Sequence, residues 1–555
     1  MSKRLDQPTD DNARSDHYAR TRVREVALNE GISDLQALQR VLYRSAKQDQ
    51  TRRFHALYDK LTRSDVMWQA WVNVATNQGA PGIDEISIDD IKAGGMEAIM
   101  SFLDTLAKQV RAQTYRPQPL RRVNIPKAGQ PGVTRPLGIP TLADRVLMAA
   151  AKLILEPIFE ADFSAVSFGF RPKRNAHDAL EAIRQSANSG AQWVLDADIK
   201  SCFDEIDQGA LMELIERRVS DRAMLKLLKS WLRVGVIESV VYSDIKSGTP
   251  QGSPISPLLC NIALSVLDEE LAKARYKTGK AVRYADDWVV LCGTRKRAET
   301  ARSVAETALV RLGLRLHPDK TRIVNLTRGA EGFDFLGFHN HMCESVKWPS
   351  HYYLQKWPSD RAMASIRANV KEKTDRRYVG LSLDTVVDGL NPILRGWSQY
   401  FRYGNSSKKF NTINSYVHER MAILASNKYG LHGRNWDTRF NYQWITNLGI
   451  YRLTGTVRRT PVPDALQKLL EMVNHNGVHM SFLVPGTKTS VTPRGQGRAL
   501  CPNFSGSEDN PEGSRGYSSL LAEWNIELRR TFVRVALCFM PPTDHRSVRR
   551  LARKS

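Results

Sequence analysis

The amino-acid sequence predicts an α+β protein that is built from several domains. Short runs rich in β-branched residues alternate with stretches of helical periodicity between about residues 118 and 345. The segments on either side of this region are mostly helical. A chain of 555 residues also exceeds the length that one hydrophobic core usually serves. We therefore expect a mixed central region flanked by helical domains.

The charge balance indicates what kind of partner the protein binds. Lys and Arg number 81 against 58 Asp and Glu, which leaves a formal net charge of +23. An excess of this size favours a polyanionic partner, and nucleic acid is the most common one. The alternative is a basic protein that its charge merely keeps soluble, or that rests on acidic lipid.

The sequence argues against a membrane protein and against a disulfide or zinc scaffold. The most apolar stretch, residues 146–159, is interrupted by Lys152, Glu156 and Pro157, so we expect no membrane-spanning segment. The six cysteines are scattered, and none forms a Cys-x-x-Cys pair. Reduced thiols in a cytosolic compartment are the simplest interpretation.

An acidic hairpin is predicted at residues 281–291, where two short apolar runs meet at Asp286 and Asp287. Two adjacent carboxylates repel each other, and this cost is explained if a divalent cation lies between them and a phosphate. An acidic surface turn is the alternative, and the hairpin alone does not decide between the two.

A second acidic segment, residues 193–204, is predicted to be a buried strand that leads into a helix, with Asp198 at the end of the strand. Phosphoryl transfer with two Mg²⁺ ions needs carboxylates from separate strands that converge on one point. Asp198, Asp286 and Asp287 supply such a set. Asp196 and Asp204 are alternatives, which we assign to a strand edge and a helix start.

A third segment, residues 248–257, is rich in Gly and Pro and precedes an apolar helix from Leu258 to Leu271. Its glycines expose backbone that can lie flat against a base pair or a sugar-phosphate strand. An ordinary loop before a helix is the alternative.

Taken in their order along the chain (193–204, 248–257 and 281–291), the three segments resemble the palm of a reverse transcriptase, and specifically that of a group II intron-encoded maturase. Similar stretches extend from about residue 66 to about residue 425. They begin with residues 77–84 ahead of the fingers and with 125–127, 135–140 and 144–145 in the fingers, and residues 167–172 and 175–177 come next. Residues 317–321 and 335–338 close the palm, and 390–397 with 400–401 are similar to the thumb.

The resemblance implies two-metal catalysis with Mg²⁺, for which Mn²⁺ is a substitute. Asp198, Asp286 and Asp287 would be the catalytic residues and the metal ligands, and the carbonyl of Ile199 would assist them. His177 at a predicted helix start is left out of the site, because such a residue usually caps or packs.

The resemblance also implies a site for the incoming deoxynucleoside triphosphate. Lys127 and Arg135 would hold the triphosphate, because cations stabilise the charge that accumulates there. The bulk of Phe203 would exclude a ribose 2′-hydroxyl, and Gln251 would support the nucleotide pocket. The alternatives are surface charges for the two cations, a core position for Phe203 and a helix cap for Gln251.

Contacts with RNA or DNA are expected mainly after residue 350, where cations are interleaved with aromatic residues. A solvated helical face is the alternative for the charges, and packing in the thumb is the alternative for the aromatic side chains. The nucleic-acid contacts that the resemblance implies are Asn77, Arg171, Arg395, Trp397, Lys408 and Lys409.

The expected architecture is a right-hand polymerase with fingers and palm, followed by a helical thumb/maturase domain and a basic C-terminal region. Residues 476–555 hold isolated cysteines and histidines without the pairing of a metal-dependent endonuclease, so none is expected. The predicted domains are a polar extension (1–45), a helical insertion with the start of the fingers (46–117), fingers and palm (118–345), thumb/maturase (346–430), a basic DNA-binding region (431–475) and a tail (476–555).

The predicted function is that of a group II intron-encoded protein, which copies RNA into DNA and binds its intron RNA to assist splicing. Its partners would be the intron RNA, the target DNA used in retrohoming and deoxynucleoside triphosphates, in a bacterial cytoplasm or nucleoid or in an organelle. The sequence leaves the oligomeric state open. The alternatives are a reverse transcriptase recruited to a host role such as antiviral defence, and an RNA-binding splicing chaperone with little polymerase activity.

Overall fold

The computed structural model describes residues 34–126, 132, 134–238, 241–243, 247–249, 252–433, 435 and 438–458. Two predicted site residues, Lys127 and Gln251, lie outside the described residues, as do residues 1–33 of the predicted extension and the tail from 476 to 555. Within the described ranges, no helix combines the length and the apolar character needed to cross a membrane.

The helices and strands follow one another along the chain in this order. The N-terminal part contains α1 (34–48), a 3-10 helix (Asp59–Thr62), α2 (Ser64–Thr76), α3 (Ile88–Ala93) and α4 (Gly95–Arg111). The next part contains β1 (Leu120–Pro126), β2 (Thr134–Ile139), α5 (Leu142–Glu160), α6 (Ala176–Asn188), β3 (Trp193–Ala197), α7 (Cys202–Glu205), α8 (Gln208–Glu216), α9 (Arg222–Arg233), β4 (Val236–Glu238) and β5 (Val241–Ser243).

The second half begins with α10 (Ser256–Lys273), β6 (Lys280–Tyr284), β7 (Asp287–Cys292), α11 (Arg295–Val310) and β8 (Arg322–Asn325). It continues with a 3-10 helix (Thr327–Gly329), β9 (Gly332–Phe335), β10 (Phe338–Glu344), β11 (Tyr352–Pro358) and α12 (Asp360–Lys373). A 3-10 helix (Arg376–Tyr378), α13 (Leu383–Phe401), α14 (Ser407–Lys428) and α15 (Tyr442–Asn447) follow.

The N-terminal helices pack together because their apolar residues recur at helical spacing. Leu35 and Leu42 of α1 are buried in the same core as α2, α4 and α5, so the segment from residue 34 onwards is part of the folded body. Trp71 of α2 meets Phe102 of α4 edge to face, with 5.9 Å between the ring centroids.

A four-stranded sheet in the order β2-β1-β4-β5 follows these helices. Strands β1 and β2 are antiparallel, with Ile125 paired to Arg135, whereas β4 lies parallel to β1. Residues 127–131 and 133, between β1 and β2, are outside the described part of the chain.

The central sheet has the strand order β6-β7-β3-β8, and each neighbouring pair in it is antiparallel. Because side chains alternate along a strand, each strand contributes to both faces of the sheet. Leu195 and Val290 belong to one hydrophobic core, together with α5, α10 and α11. Val194 and Val289 belong to a second core, together with α6, α12, α13 and α14. The sheet is therefore covered on both faces, and its strand ends are where polar side chains can reach solvent.

A third sheet, β11-β10-β9, joins the second core and leads into α12, α13 and α14. Phe338 of β10 contacts Phe401 of α13, with 4.8 Å between the ring centroids. The predicted mixture of helices and strands is confirmed. The assignment of α12 to α14 to a thumb, and the domain boundaries, remain predictions.

Candidate active site

The predicted acidic hairpin is present as β6, a two-residue turn and β7. Tyr284 pairs with Asp287 across the hairpin, so Asp287 is the first residue of β7 and Asp286 lies in the turn. Ala285 has a φ of 57°, a left-handed conformation that a non-glycine residue rarely adopts. This turn fixes both carboxylates at a strand end, where their positions vary little.

The second carboxylate segment ends beside the first. The last pair between β3 and β7 is Ala197 with Trp288, so Asp198 and Asp287 occupy the next two positions on these adjacent strands. By strand alternation both side chains lie on the face of the sheet that also carries Asp196. The structure therefore brings Asp198 and Asp287 together from segments almost ninety residues apart in the sequence.

These carboxylates open onto a cleft of about 230 Å³ at the edge of the central sheet. The cleft is lined by residues from β3, β7, β9 and the start of α12. Its charged lining residues are Asp196, Asp198, Asp287, Lys320, Asp334 and Arg361. A site with four carboxylates and two cations suits a substrate that combines metal ions with phosphate groups.

Mutual repulsion and reduced hydration raise the pKa values of the two hairpin carboxylates. The surrounding protein weakens the hydration of Asp287, and the charges of Asp286 and Asp198 add to this effect, so the pKa of Asp287 is raised to about 6. Burial also raises the pKa of Asp286, and the charge of Asp198 acts in the same direction. A divalent cation bound among these groups would stabilise the ionised carboxylates and so oppose both pKa shifts.

Cations from the segment after α11 partly neutralise this cluster. Lys320 Nζ lies 2.6 Å from Asp198 Oδ2, and Arg322 Nε lies 3.1 Å from Asp196 Oδ2. The backbone amide of His317 donates to the carbonyl of Asp198, which ties this segment to the end of β3. Lys320 was not predicted as a site residue, although it lies in a stretch that matched the palm.

The donors fit Mg²⁺ in kind, because it prefers carboxylate and carbonyl oxygens. Ile199 is buried beside Leu316, and the two hydrogen bonds that flank it use the carbonyl of Asp198 and the amide of Lys200, so neither occupies the Ile199 carbonyl. Within the described residues, however, no three His, Cys, Asp or Glu side chains already form a metal-binding cluster. Asp198 would have to exchange its bond with Lys320 for one with the ion.

The predicted nucleotide-binding residues are placed only in part. Arg135 is exposed on β2, and its charge acts to lower the pKa of Asp286, so the two groups lie near each other. Phe203 is half-buried against the first core, and its carbonyl accepts a hydrogen bond of 2.7 Å from the amide of Thr249.

The Gly- and Pro-rich loop is held against both neighbouring elements by its glycines. A Cβ at Gly248, which has a φ of +83°, would lie 2.5 Å from the carbonyl oxygen of Phe203. A Cβ at Gly252 would lie 2.8 Å from the carbonyl oxygen of Gly138 on β2. The loop thus approaches α7 at one end and β2 at the other, and the apolar helix predicted after it is α10.

One predicted nucleic-acid contact requires correction. Arg171 is buried, and its guanidinium forms a two-point ion pair with Glu160, with distances of 2.9 and 2.7 Å. It also donates to the carbonyls of Ser164 and Ser167. These internal partners use the guanidinium, so Arg171 holds the loop after α5 together and does not face nucleic acid.

The other predicted nucleic-acid contacts divide into exposed and packed positions. Asn77 is exposed at the end of α2, and Lys408 is exposed near the start of α14. Arg395 is exposed on α13 over the ring of Tyr451, whereas Trp397 packs on Phe401 and Phe410. Lys409 forms an ion pair of 3.1 Å with Asp360.

His177, which is left out of the predicted site as a capping or packing residue, contacts the rings of Phe338, Tyr400 and Tyr403.

A buried network behind the acidic turn was not anticipated. Arg283 is 1% exposed and binds both carboxylate oxygens of Asp268 on α10, at 2.8 and 2.6 Å. The same guanidinium donates to the carbonyl of Ala285, to Asn261 and to the hydroxyl of Ser167. In the sequence, this network is indicated only by the cation Arg283 near the end of the mostly apolar strand β6.

Two family models match the chain. Residues 125–340 match the reverse transcriptase (RNA-dependent DNA polymerase) model, and residues 363–442 match the maturase-specific domain of group II introns. Together these two stretches cover more than half of the chain. The chain belongs to the group II intron-type reverse transcriptases.

Relatives with curated sequences agree with this family. The protein YkfC of Escherichia coli is 33% identical over 339 residues, which are 54% of this chain and 86% of that protein. The group II intron-encoded protein LtrA of Lactococcus lactis is 39% identical over 40% of this chain. A 91 kDa protein in the cob intron of Schizosaccharomyces pombe is 26% identical over 64% of this chain.

The matches cover different shares of these relatives. The alignments span 36% of LtrA and 51% of the Schizosaccharomyces pombe protein. Among solved structures, a chain of a partial Cas6-RT-Cas1–Cas2 complex aligns with 46% of this chain at 25% identity and a TM-score of 0.30. The predicted family and enzyme class are confirmed, whereas the roles of single residues remain predictions.

Proposed function

We propose that this reverse transcriptase copies RNA into DNA by two-metal nucleotidyl transfer and binds its own intron RNA to assist splicing. One observation carries the catalytic part of the proposal. Asp198 and Asp287 occupy neighbouring positions at the ends of two paired strands, and Asp286 lies in the turn that leads into one of them. Convergence of carboxylates from separate strands is what phosphoryl transfer with two metal ions requires.

In the reaction, the 3′-hydroxyl of a primer attacks the α-phosphate of a deoxynucleoside triphosphate, and pyrophosphate leaves. Two Mg²⁺ ions held by Asp198, Asp286, Asp287 and the Ile199 carbonyl would activate the attacking oxygen and stabilise the leaving group. The turn at Ala285 holds the two hairpin carboxylates in place, so little reorganisation accompanies the reaction.

The remaining side chains bind and select the nucleotide. Arg135 is proposed to neutralise phosphate charge together with Lys127, and the action of its charge in lowering the pKa of Asp286 supports this role. Phe203 is proposed to exclude a 2′-hydroxyl, and Gln251 to support the pocket. The close packing of the 247–249 loop on α7 supports this arrangement, because it limits the movement of Phe203.

The maturase part of the proposal rests on the maturase-specific domain at residues 363–442. Helices α13 and α14 would bind the intron RNA through exposed groups such as Arg395 and Lys408. Target DNA, from which the primer would come during retrohoming, and a location in a bacterial cytoplasm, nucleoid or organelle are further parts of the proposal.

Primer extension on an RNA template with Mg²⁺ tests the catalytic part. We expect Asp198→Asn to lower the rate by about 100-fold or more, because a lost metal ligand removes several kcal/mol and about 1.4 kcal/mol is tenfold. Asp196→Asn is the matched control, because Asp196 lies on the same strand and the same cleft but is not a proposed ligand. If Asp196→Asn lowered the extension rate more than Asp198→Asn, Asp196 would be the metal ligand instead of Asp198. If the wild type did not extend primers but still assisted splicing, the protein would be a splicing chaperone.

A further inference from the structure

Helix α9 carries an exposed row of cations that the polymerase site does not use. The basic face of α9 consists of Arg222, Lys226, Lys229 and Arg233, and all four residues are exposed. At about 100° per residue these positions fall within an arc of about 60°, and at about 1.5 Å per residue they span roughly 16 Å. None of the four lines the catalytic cleft.

The charges of this face are not neutralised within the described part of the protein. Helix α9 itself contains no acidic residue, and none of its four exposed cations forms an ion pair with a described residue. Several exposed cations on other helices are paired with a carboxylate one turn away. Examples are Lys108 with Asp104, Lys273 with Glu270, Arg295 with Glu299 and Arg302 with Glu306. Four unpaired like charges on one line repel each other unless an anionic partner lies over them.

The opposite face holds α9 rigidly in the body of the protein. Leu227, Leu228 and Trp231 are buried in the first core, and the Trp231 indole donates to the hydroxyl of Tyr115 at 3.1 Å. Asp221 caps the helix start and also accepts hydrogen bonds from the backbone of Leu57 and Tyr58. The row of cations is therefore fixed in its spacing before any partner binds.

We propose that the basic face of α9 binds the phosphate backbone of the intron RNA, at a place separate from the catalytic cleft. Because the apolar side of α9 is buried, it is unavailable for insertion into a lipid surface, which argues against a membrane. The face also lacks the apolar and aromatic core of a protein–protein interface. A straight row of fixed cations does suit a backbone of regularly spaced phosphates. This inference rests on the proposed RNA-binding function and assigns a docking surface to it.

The test compares two full-length variants that remove the same charge. In the first, the four cations of the basic face of α9 are replaced by Gln. In the second, Lys108, Lys273, Arg295 and Arg302, which are exposed and paired, are replaced by Gln. The affinity of each for a labelled 60-nucleotide stem-loop RNA is measured at several KCl concentrations by fluorescence anisotropy. Circular dichroism and primer extension at saturating template–primer are measured on the same preparations.

For the α9 variant, we expect the slope of log affinity against log salt to become shallower by about 3, because each lost phosphate contact removes about 0.7–0.9. We expect the paired-cation variant to keep a slope within about 1 of the wild type, and both variants to extend primers normally. Equal slopes in the two variants would overturn the inference. Binding to phosphatidylserine vesicles that is lost in the α9 variant, with RNA binding unchanged, would assign the face to lipid instead. If the wild type neither bound RNA nor extended primers, the proposed function itself would fail.

Discussion

At the residue level, the acidic turn that carries Asp286 and Asp287 is held by Arg283, a cation that does not line the cleft. Arg283 connects the carbonyl of Ala285, inside the acidic turn, to Asp268 and Asn261 on α10. A bidentate guanidinium fixes direction as well as charge, which an ammonium group does not. The position of the turn is therefore set by buried side chains of α10 and β6.

We predict that Arg283→Lys lowers kcat for primer extension by about 10- to 100-fold and leaves KM for the nucleotide nearly unchanged, because small displacements of catalytic groups cost this much. Lysine keeps the charge opposite Asp268, so the variant should fold, which a thermal melt checks. Arg311→Lys is the control, because Arg311 pairs with Glu270 on the surface at 3.3 Å. Unchanged kcat in a folded Arg283→Lys protein would remove Arg283 from this positioning role.

Selection of the sugar is proposed to depend on a single residue, Phe203. Replacing Phe203 by Ala removes the bulk proposed to exclude a 2′-hydroxyl, so ribonucleotide incorporation relative to deoxynucleotide should rise by about 5- to 150-fold, for a steric penalty of about 1–3 kcal/mol. Competition between the two nucleotides in single-step extension measures this ratio. Phe102→Ala, which removes another half-buried ring from the same core, should leave the ratio unchanged. A constant ratio in Phe203→Ala would assign the ring to packing alone.

At the level of elements, the site depends on how closely a loop approaches the acidic hairpin. The carbonyl of Gly169 accepts a hydrogen bond of 2.9 Å from Asn261, and the amide of Phe168 donates to the carbonyl of Arg283. A Cβ at Gly169 would lie 2.4 Å from the amide nitrogen of Ala285. The backbone of the 168–169 loop and the backbone of the acidic hairpin are thus in direct contact, and separating them would displace the turn at Ala285.

We therefore predict that Gly169→Ala destabilises the protein by about 1–3 kcal/mol and lowers extension, because it overpacks backbone against backbone. Gly389→Ala is the control. Gly389 lies in α13 with no atom within 4 Å of an added Cβ, so alanine there should be neutral or stabilising by up to about 1 kcal/mol. Chemical denaturation measures both effects. Equal stability of the two variants would show that the loop can move away from the hairpin at little cost.

At the level of the whole molecule, the central sheet lies between two hydrophobic cores, one with α5, α10 and α11 and the other with α6, α12, α13 and α14. The carboxylates stand at the strand ends, at the edge of both cores. This placement gives a rigid support on either side of the site, while the cleft stays open to solvent and to nucleic acid.

Local patterns predicted the hairpin, the strand before Asp198 and the helix after the glycine-rich loop, because each depends on residues close in sequence. The pairing of β3 with β7 joins segments that are distant in the sequence, and no local pattern predicts it. The partners of buried side chains cannot be predicted from the sequence, because they depend on contacts between distant segments. The sequence shows Arg171 and Arg283 as cations but shows neither Glu160 nor Asp268 opposite them. For the same reason the sequence alone does not distinguish Arg171 and Arg283, which are paired and buried, from the exposed cations of α9.

The central claim is that Asp198, Asp286 and Asp287 serve copying and not splicing. The most direct test is the Asp286→Ala/Asp287→Ala double variant, with RNA-templated primer extension and splicing of the flanking intron RNA measured on one preparation. We predict that extension is abolished while RNA affinity and splicing stay within about 2-fold of the wild type, because no phosphate contact is lost. Continued extension would contradict the catalytic assignment, and loss of splicing to the same degree would contradict the separation of the two activities.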